Sequence, residues 1–314
     1  MKKYLFLFIL STYCSLLIGQ QAKEDKKQKR EAKIQTVVTT WYAYTIDGNK
    51  ETQGEKDAYE KYDSRGNLTQ RIQYAPKSGI LFEWRYRYNA LNQLIYALKK
   101  DSKGTIVEKY KVEYNANKTV HKHIGLLETN RYELTFYYKN KKLIKKEKRT
   151  VDDKKLVLQT VYKYTGENLI EESINSSKHY HTFYEYDDRN NKVKETLWID
   201  SVQNKKIEYT YNSQGQLVAE KIIGPKERPV TKLVYAYNSS GKETSVTSYG
   251  YTLKQIKKKQ NEIIKNTWEY REVFDKKWKY RYDEFGNIMS ITVYDTGDGL
   301  PVAITEYYYK KYRP

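Results

Sequence analysis

Lys277 to Ile288 reads KWKYRYDEFGNI. Trp278, Tyr280 and Tyr282 alternate with Lys277, Lys279 and Arg281. A period of two puts the rings on one face of a strand and the cations on the other. Asp283 then opens a polar turn, with a side chain suited to bonding backbone two residues on. Gly286 follows three residues later, where the chain needs a positive φ to re-enter the ladder. Ile288 opens the return strand. The stretch predicts a β-hairpin.

The same phrase recurs along the chain: aromatic, any residue, Tyr, a polar turn, then an aliphatic residue. Its second aromatic falls at Tyr44, Tyr62, Tyr88, Tyr114, Tyr138, Tyr164, Tyr186, Tyr211, Tyr237 and Tyr282. The intervals are 18, 26, 26, 24, 26, 22, 25, 26 and 45. A worn copy around Ile263 is expected to fill the last gap. Asp63 and Gly66 match Asp283 and Gly286, and Gly215 and Gly241 stand at the same turn position. One hairpin of about 25 residues buries too little surface to stand alone, so neighbours must share ladder bonds and ring contacts. The rings are expected to face inward, because extended apolar patches are rare on monomers.

Composition agrees. The chain has 314 residues, 34 of them Tyr, with 58 Lys+Arg against 39 Asp+Glu and a formal charge of +19. So much ring surface argues against disorder, and 15 Gly and 5 Pro argue against collagen-like sequence. A mean hydropathy of −0.91 argues against a helical membrane protein. At the N-terminus, Lys2 and Lys3 precede the uncharged run Tyr4 to Ile18. This reads as a secretory signal over residues 1–20, then a charged, solvated leader over 21–33 and the repeat array over 34–314. A retained anchor and a lipoprotein site at Cys14 are the alternatives. Cleavage would remove the only Cys, leaving no disulfide, and no span is expected in the mature chain.

YDSRGNL, YTYNSQGQL and YRYDEFGNI resemble the YD repeat of Rhs-type bacterial surface and toxin proteins. That resemblance covers nearly all of the mature chain. It implies a ribbon of hairpins wound into a spiral, which in large relatives forms a hollow shell around a toxin. This chain is short for such a shell. The expected fold is therefore all-β: tandem YD/Rhs-like hairpins in a continuous curled or spiral antiparallel sheet.

No catalytic or cofactor-binding motif stands out. His121 with His123, and His179 with His181, form two HxH pairs that a strand would place on one face, as a metal site requires. His179 and His181 share the parity of Glu185 on the polar face, so surface or structural roles are expected and no metal is assigned. Asp152–Asp153 and Asp187–Asp188 read as hairpin tips, and most other carboxylates as outer-face residues alternating with Lys and Arg. The Lys139–Arg149 and Lys257–Lys259 runs suit an anionic polymer or a solvated face. The export signal argues against nucleic acid, and charge along every strand against a lipid-facing barrel. The expected role is an exported, non-enzymatic scaffold in the periplasm, on the outer-membrane surface or outside the cell, binding an anionic glycan or an envelope protein. The alternative is an accessory of an Rhs-type toxin or surface-antigen system.

Overall fold

The computed structural model describes residue 27 and residues 29–43, 49–75, 79–127, 130–260, 263–295 and 301–311. Tyr44, the signal stretch 1–20 and most of the leader lie outside them. From Ile34 onward the described residues form twenty strands and one 3-10 turn, Pro225–Glu227. The strands are β1 (Ile34–Ala43), β2 (Glu55–Tyr62), β3 (Leu68–Ala75), β4 (Gly79–Tyr88) and β5 (Leu94–Asp101). Next come β6 (Ile106–Tyr114), β7 (Val120–Leu127), β8 (Asn130–Lys139), β9 (Lys142–Thr150) and β10 (Leu156–Thr165). Then follow β11 (Asn168–Asn175), β12 (His179–Tyr186), β13 (Lys192–Ile199), β14 (Val202–Tyr211) and β15 (Leu217–Ile223). The last are β16 (Pro229–Tyr237), β17 (Glu243–Gln260), β18 (Ile263–Tyr282), β19 (Ile288–Asp295) and β20 (Pro301–Lys311).

Each strand pairs antiparallel with the next, and β1 pairs with both β2 and β20. The sheet is therefore a closed barrel. This corrects the expected curled or spiral array, and the chain is long enough to close. Closure leaves no unpaired edge along the wall, which an open sheet of this length would have to protect.

The register explains why the circuit closes. Arg71 pairs with Glu60, two residues before Tyr62, but across the next junction it pairs with Trp84, four residues before Tyr88. The pairing thus steps two residues per hairpin. The seam does the same, with Val37 facing Tyr309 on one side and Glu60 on the other. Ten such steps advance the register by about 20 residues over 20 strands, the one-to-one ratio that gives a strand tilt of ~36° in eight-stranded barrels. A circular section at that tilt and ~4.8 Å strand spacing has a radius of roughly 19 Å. The main backbone contacts run between neighbours around the circuit. The accessible surface is 20969 Å², against roughly 14,000 Å² for a compact monomer of this mass. The wall is one sheet thick and open on both faces.

The turns behave as their chemistry dictates. The Asp63 N–H donates to Asn67 O at 2.9 Å and the Gly66 N–H to Asp63 O at 3.0 Å. Gly66 has φ 77°, and Asn92 and Asn190 hold the same left-handed position at 65° and 61°. Turns led by Asp carry Asn four residues on, as in Asp63–Asn67 (2.7 Å) and Asp283–Asn287 (2.9 Å). Two turns led by Asn carry Gln instead, Asn89–Gln93 (2.9 Å) and Asn212–Gln216 (2.8 Å), while Asn115 donates to Thr119 (2.9 Å). A carboxylate needs a donor opposite it, and an amide N–H an acceptor.

A one-residue bulge follows each turn, so Tyr62 faces Leu68 while Lys61 faces Gln70. Seven terminal tyrosines then reach back to the previous hairpin. The hydroxyls of Tyr88, Tyr114, Tyr186 and Tyr237 donate to the carbonyls of Leu68, Leu94, Leu169 and Leu217 at 2.7–2.8 Å. Tyr164, Tyr211 and Tyr309 do the same with Leu143, Lys192 and Ile288.

Two expectations are corrected along the chain. The gap before Tyr282 holds no extra hairpin, because β17 and β18 are lengthened instead and pair out to Gln260 and Ile263. The leader is not wholly solvated. Ala32 and Ile34 are buried with Val37 and Tyr62, against Leu68, Tyr307 and Tyr309. Lys29 is also buried, 4.9 Å above the Tyr309 ring.

The tyrosine face is the inner one. Burial pushes the Tyr86 and Tyr307 phenols up to about 12 and raises those of Tyr88, Tyr162 and Tyr280. The other face carries ion pairs such as Arg85–Glu83 (2.6 Å) and Lys163–Glu171 (2.7 Å).

Tyr88→Phe keeps the ring and removes one stitch, so the urea midpoint should fall by the equivalent of about 0.5–1.5 kcal/mol. The raised phenol pKa values predict alkaline instability. Unfolded phenols titrate near ~10, so the contribution of Tyr86 and Tyr307 is complete below that pH and is lost as pH rises through about 12. Ultraviolet titration should show these phenols ionising late, together with loss of strand signal; free ionisation near pH ~10 with the barrel intact would contradict the burial.

Candidate functional site: the inner wall

Two inner tiers lie beneath the turn rim. The first alternates terminal tyrosines with the aliphatic residues opposite them, as in Tyr88–Leu94 and Tyr211–Leu217. The sequence-derived positions Tyr62, Tyr88, Tyr114, Tyr138, Tyr164, Tyr186, Tyr211, Tyr237 and Tyr282 all end even-numbered strands beside such bulges. This tier is structural, since the hydroxyls with assigned carbonyl partners are spent on stitching. Asp63, Gly66, Gly215, Gly241, Asp283 and Gly286 form turns on the rim above it.

The second tier carries the chemistry, and it was not singled out from the sequence. Its return-strand members lie three residues after the residue opposite the terminal tyrosine: Arg71, His123, Lys146, Glu172, Glu195 and Glu220. The bulge changes strand parity, so an offset of three, not two, brings a side chain inward. This corrects the outer-face reading of Glu172, Glu195 and Glu220. A spacing of three after the residue that follows each polar turn opposite the tyrosine, such as Leu143 or Leu169, was the available signal.

Phenols and carboxylates pair along this tier. The Tyr209 hydroxyl donates to Glu195 at 3.2 Å and that of Tyr184 to Glu172 at 3.5 Å. Tyr62 donates to Glu60 at 2.6 Å. Glu220 is buried, and burial raises the pKa of Glu243 near Tyr280. Cations lie over rings elsewhere on the wall. Lys99 Nζ is 3.7 Å from the Phe82 centroid and 4.9 Å from that of Trp84, with Lys148 4.0 Å from Tyr132. Arg71, Lys99, Lys146 and Lys148 thus line β3–β9, whereas Glu172, Glu195, Glu220 and Glu243 line β11–β17. Each stretch also holds the opposite sign, with Glu108 across from Lys99 and Lys192 4.7 Å from the Tyr209 ring.

The histidine pairs do not converge. Four strands separate β7 from β12. His121 sits at the β7 bulge and loses the parity of His123, whose imidazole stacks 5.5 Å from Tyr110 and is held neutral by burial. His181 lies outside, 3.1 Å from Ser173 Oγ. Among the described residues no group of three His, Cys, Asp or Glu is placed to hold a metal ion. Asp153 and Asp187 are turn residues, as read, bonded to Thr150 and to Asn191. On the outer face, Lys145 at 2.9 Å, helped by Gln159, Arg149 and Tyr137, outweighs burial and holds Glu147 at about 2. No described helix is long and apolar enough to cross a membrane.

No protein-family model matches the chain, and no curated protein matches it. Among solved structures it is similar to a porin-like protein from Bacteroides uniformis, at 11% identity over 78% of this chain and 97% of that one, with a TM-score of 0.39. It is also similar to the TcdB2-TccC3-Cdc42 structure, at 11% identity over 85% of this chain and 19% of that one, with a TM-score of 0.32. A porin-like protein from Bacteroides vulgatus matches at 10% identity over 87% and 98%, with a TM-score of 0.29. At these scores the barrel topology rests on its own strand pairing.

Proposed function

We propose that the chain is an exported, non-enzymatic barrel of the cell envelope or secreted fraction whose inner wall binds a glycan. One observation carries this reading: rings and phenol–carboxylate pairs line the inner wall, whose radius for a circular section is roughly 19 Å. Rings such as Trp84, with Lys99 and Arg71 beside it, offer aromatic surface for sugar C–H groups, and Glu172 and Glu195 offer acceptors for hydroxyls. The outside supports a water-facing barrel. Outer positions carry charge on strand after strand, as at Arg85, Lys163 and Lys206. On a lipid face each would cost ~2–4 kcal/mol at the midplane.

A second reading, an accessory of an Rhs-type system, is favoured by YDSRGNL and its sister phrases, here closed around a hollow interior. A neighbouring toxin or immunity gene would support it.

The exported chain on a glycan array at low and high salt tests the first reading. Binding should persist at high salt, because ring stacking is screened less than surface charge. Trp84→Ala and Glu195→Gln should each weaken it about tenfold, or ~1.4 kcal/mol, with the strand signal retained. Absence of binding even at low salt rules the reading out.

A further inference from the structure

The two longest strands leave the barrel. β16 pairs with β17 only as far as Gly250, and β19 with β18 only as far as Lys276. β17 and β18 continue pairing with each other to Gln260 and Ile263. Ten further residues at ~3.3 Å each carry this ribbon roughly 33 Å past the rim opposite the tyrosine turns. Its base is braced. Lys232 Nζ meets both Glu272 carboxylate oxygens at 2.9 and 3.0 Å, and Tyr251 donates to Glu272 at 3.2 Å. Ser248 donates to Asp275 at 3.1 Å.

The arm has two properties that its own pairing does not explain. Lys257, Lys258, Lys259 and Lys265 concentrate in it beyond the Lys254–Glu269 pair, and the register sets Lys258 opposite Lys265. Like charges directly opposite destabilise a ribbon, and a lone two-stranded ribbon is marginal in water. An anionic partner removes that penalty. Nearer the base, Leu253 pairs with Tyr270, and they are 51% and 42% exposed. Register positions 257 and 259 share the parity of Leu253. An aromatic–aliphatic pair followed by lysines suits the boundary of a bilayer, with rings at headgroup depth and ammonium groups on phosphates. A soluble polyanion would have no use for the exposed Leu–Tyr pair.

We propose that this arm docks the barrel on a membrane surface rich in anionic lipid headgroups. The inference is independent of the lumen and of any glycan.

Cosedimentation of the exported chain with phosphatidylglycerol/phosphatidylcholine vesicles, and with pure phosphatidylcholine vesicles, tests it. Binding is expected to the first alone and to weaken with salt. Reversing Lys257, Lys258, Lys259 and Lys265 to Glu should lower the partition coefficient about 100-fold or more. Reversing Lys61, Lys103, Lys178 and Lys221, exposed on the barrel, makes the same net change and should lower it less than about threefold. A third variant joins Tyr251 to Glu272 through Asn-Gly, a two-residue hairpin turn, and should lose vesicle binding while keeping the thermal midpoint of the barrel. Equal losses in the two charge variants would overturn the proposal in favour of diffuse attraction. Vesicle binding that survives removal of the arm would overturn it too, as would capture of soluble polyphosphate without any vesicle binding.

Discussion

The barrel depends on one repeated hydrogen bond, from a terminal tyrosine hydroxyl to the main-chain carbonyl of the hairpin before it. Because the acceptor is backbone, the residue there is free to vary: Leu68, Lys192 and Ile288 all serve. Where it forms, this bond spans the two-residue step between one hairpin and the next. Ten equal steps set the shear, and the shear sets tilt and bore. A local register step thus determines a dimension of the whole molecule.

A wall one sheet thick follows from this. Each hairpin is held by its neighbours and not by a central core, so the buried residues are scattered, and among the described residues a compact apolar cluster lies at the seam where the leader meets Tyr62 and Tyr309. The rings gain shelter from the concave wall and from one another, without filling the bore. The outer face carries alternating Lys, Arg and Glu, as at Arg85–Glu83 and Lys163–Glu171.

Much of this was legible in the residues. The alternation before each turn, the Asx that opens it and the left-handed glycine that closes it are local, and they stand as read at Asp63–Gly66 and Asp283–Gly286. Tyr309 was missed because no polar turn follows YYYKKY; its partner is β1, at the other end of the chain. The worn copy near Ile263 was misread because a long ribbon has the same alternation as two short strands. The inner carboxylates were assigned to the wrong face because a bulge shifts parity by one residue, and alternation alone cannot register it.

The amino-acid sequence by itself determined the hairpins, their turns, the tyrosine positions and the separation of ring face from charged face. All of these are set by interactions within a few residues. Only the tertiary structure decided that the sheet closes, how wide it is, which carboxylates meet phenols inside it and that β17 and β18 project from the rim. Closure depends on the sum of ten small register steps and on pairing between the first strand and the last, and no local pattern contains that sum.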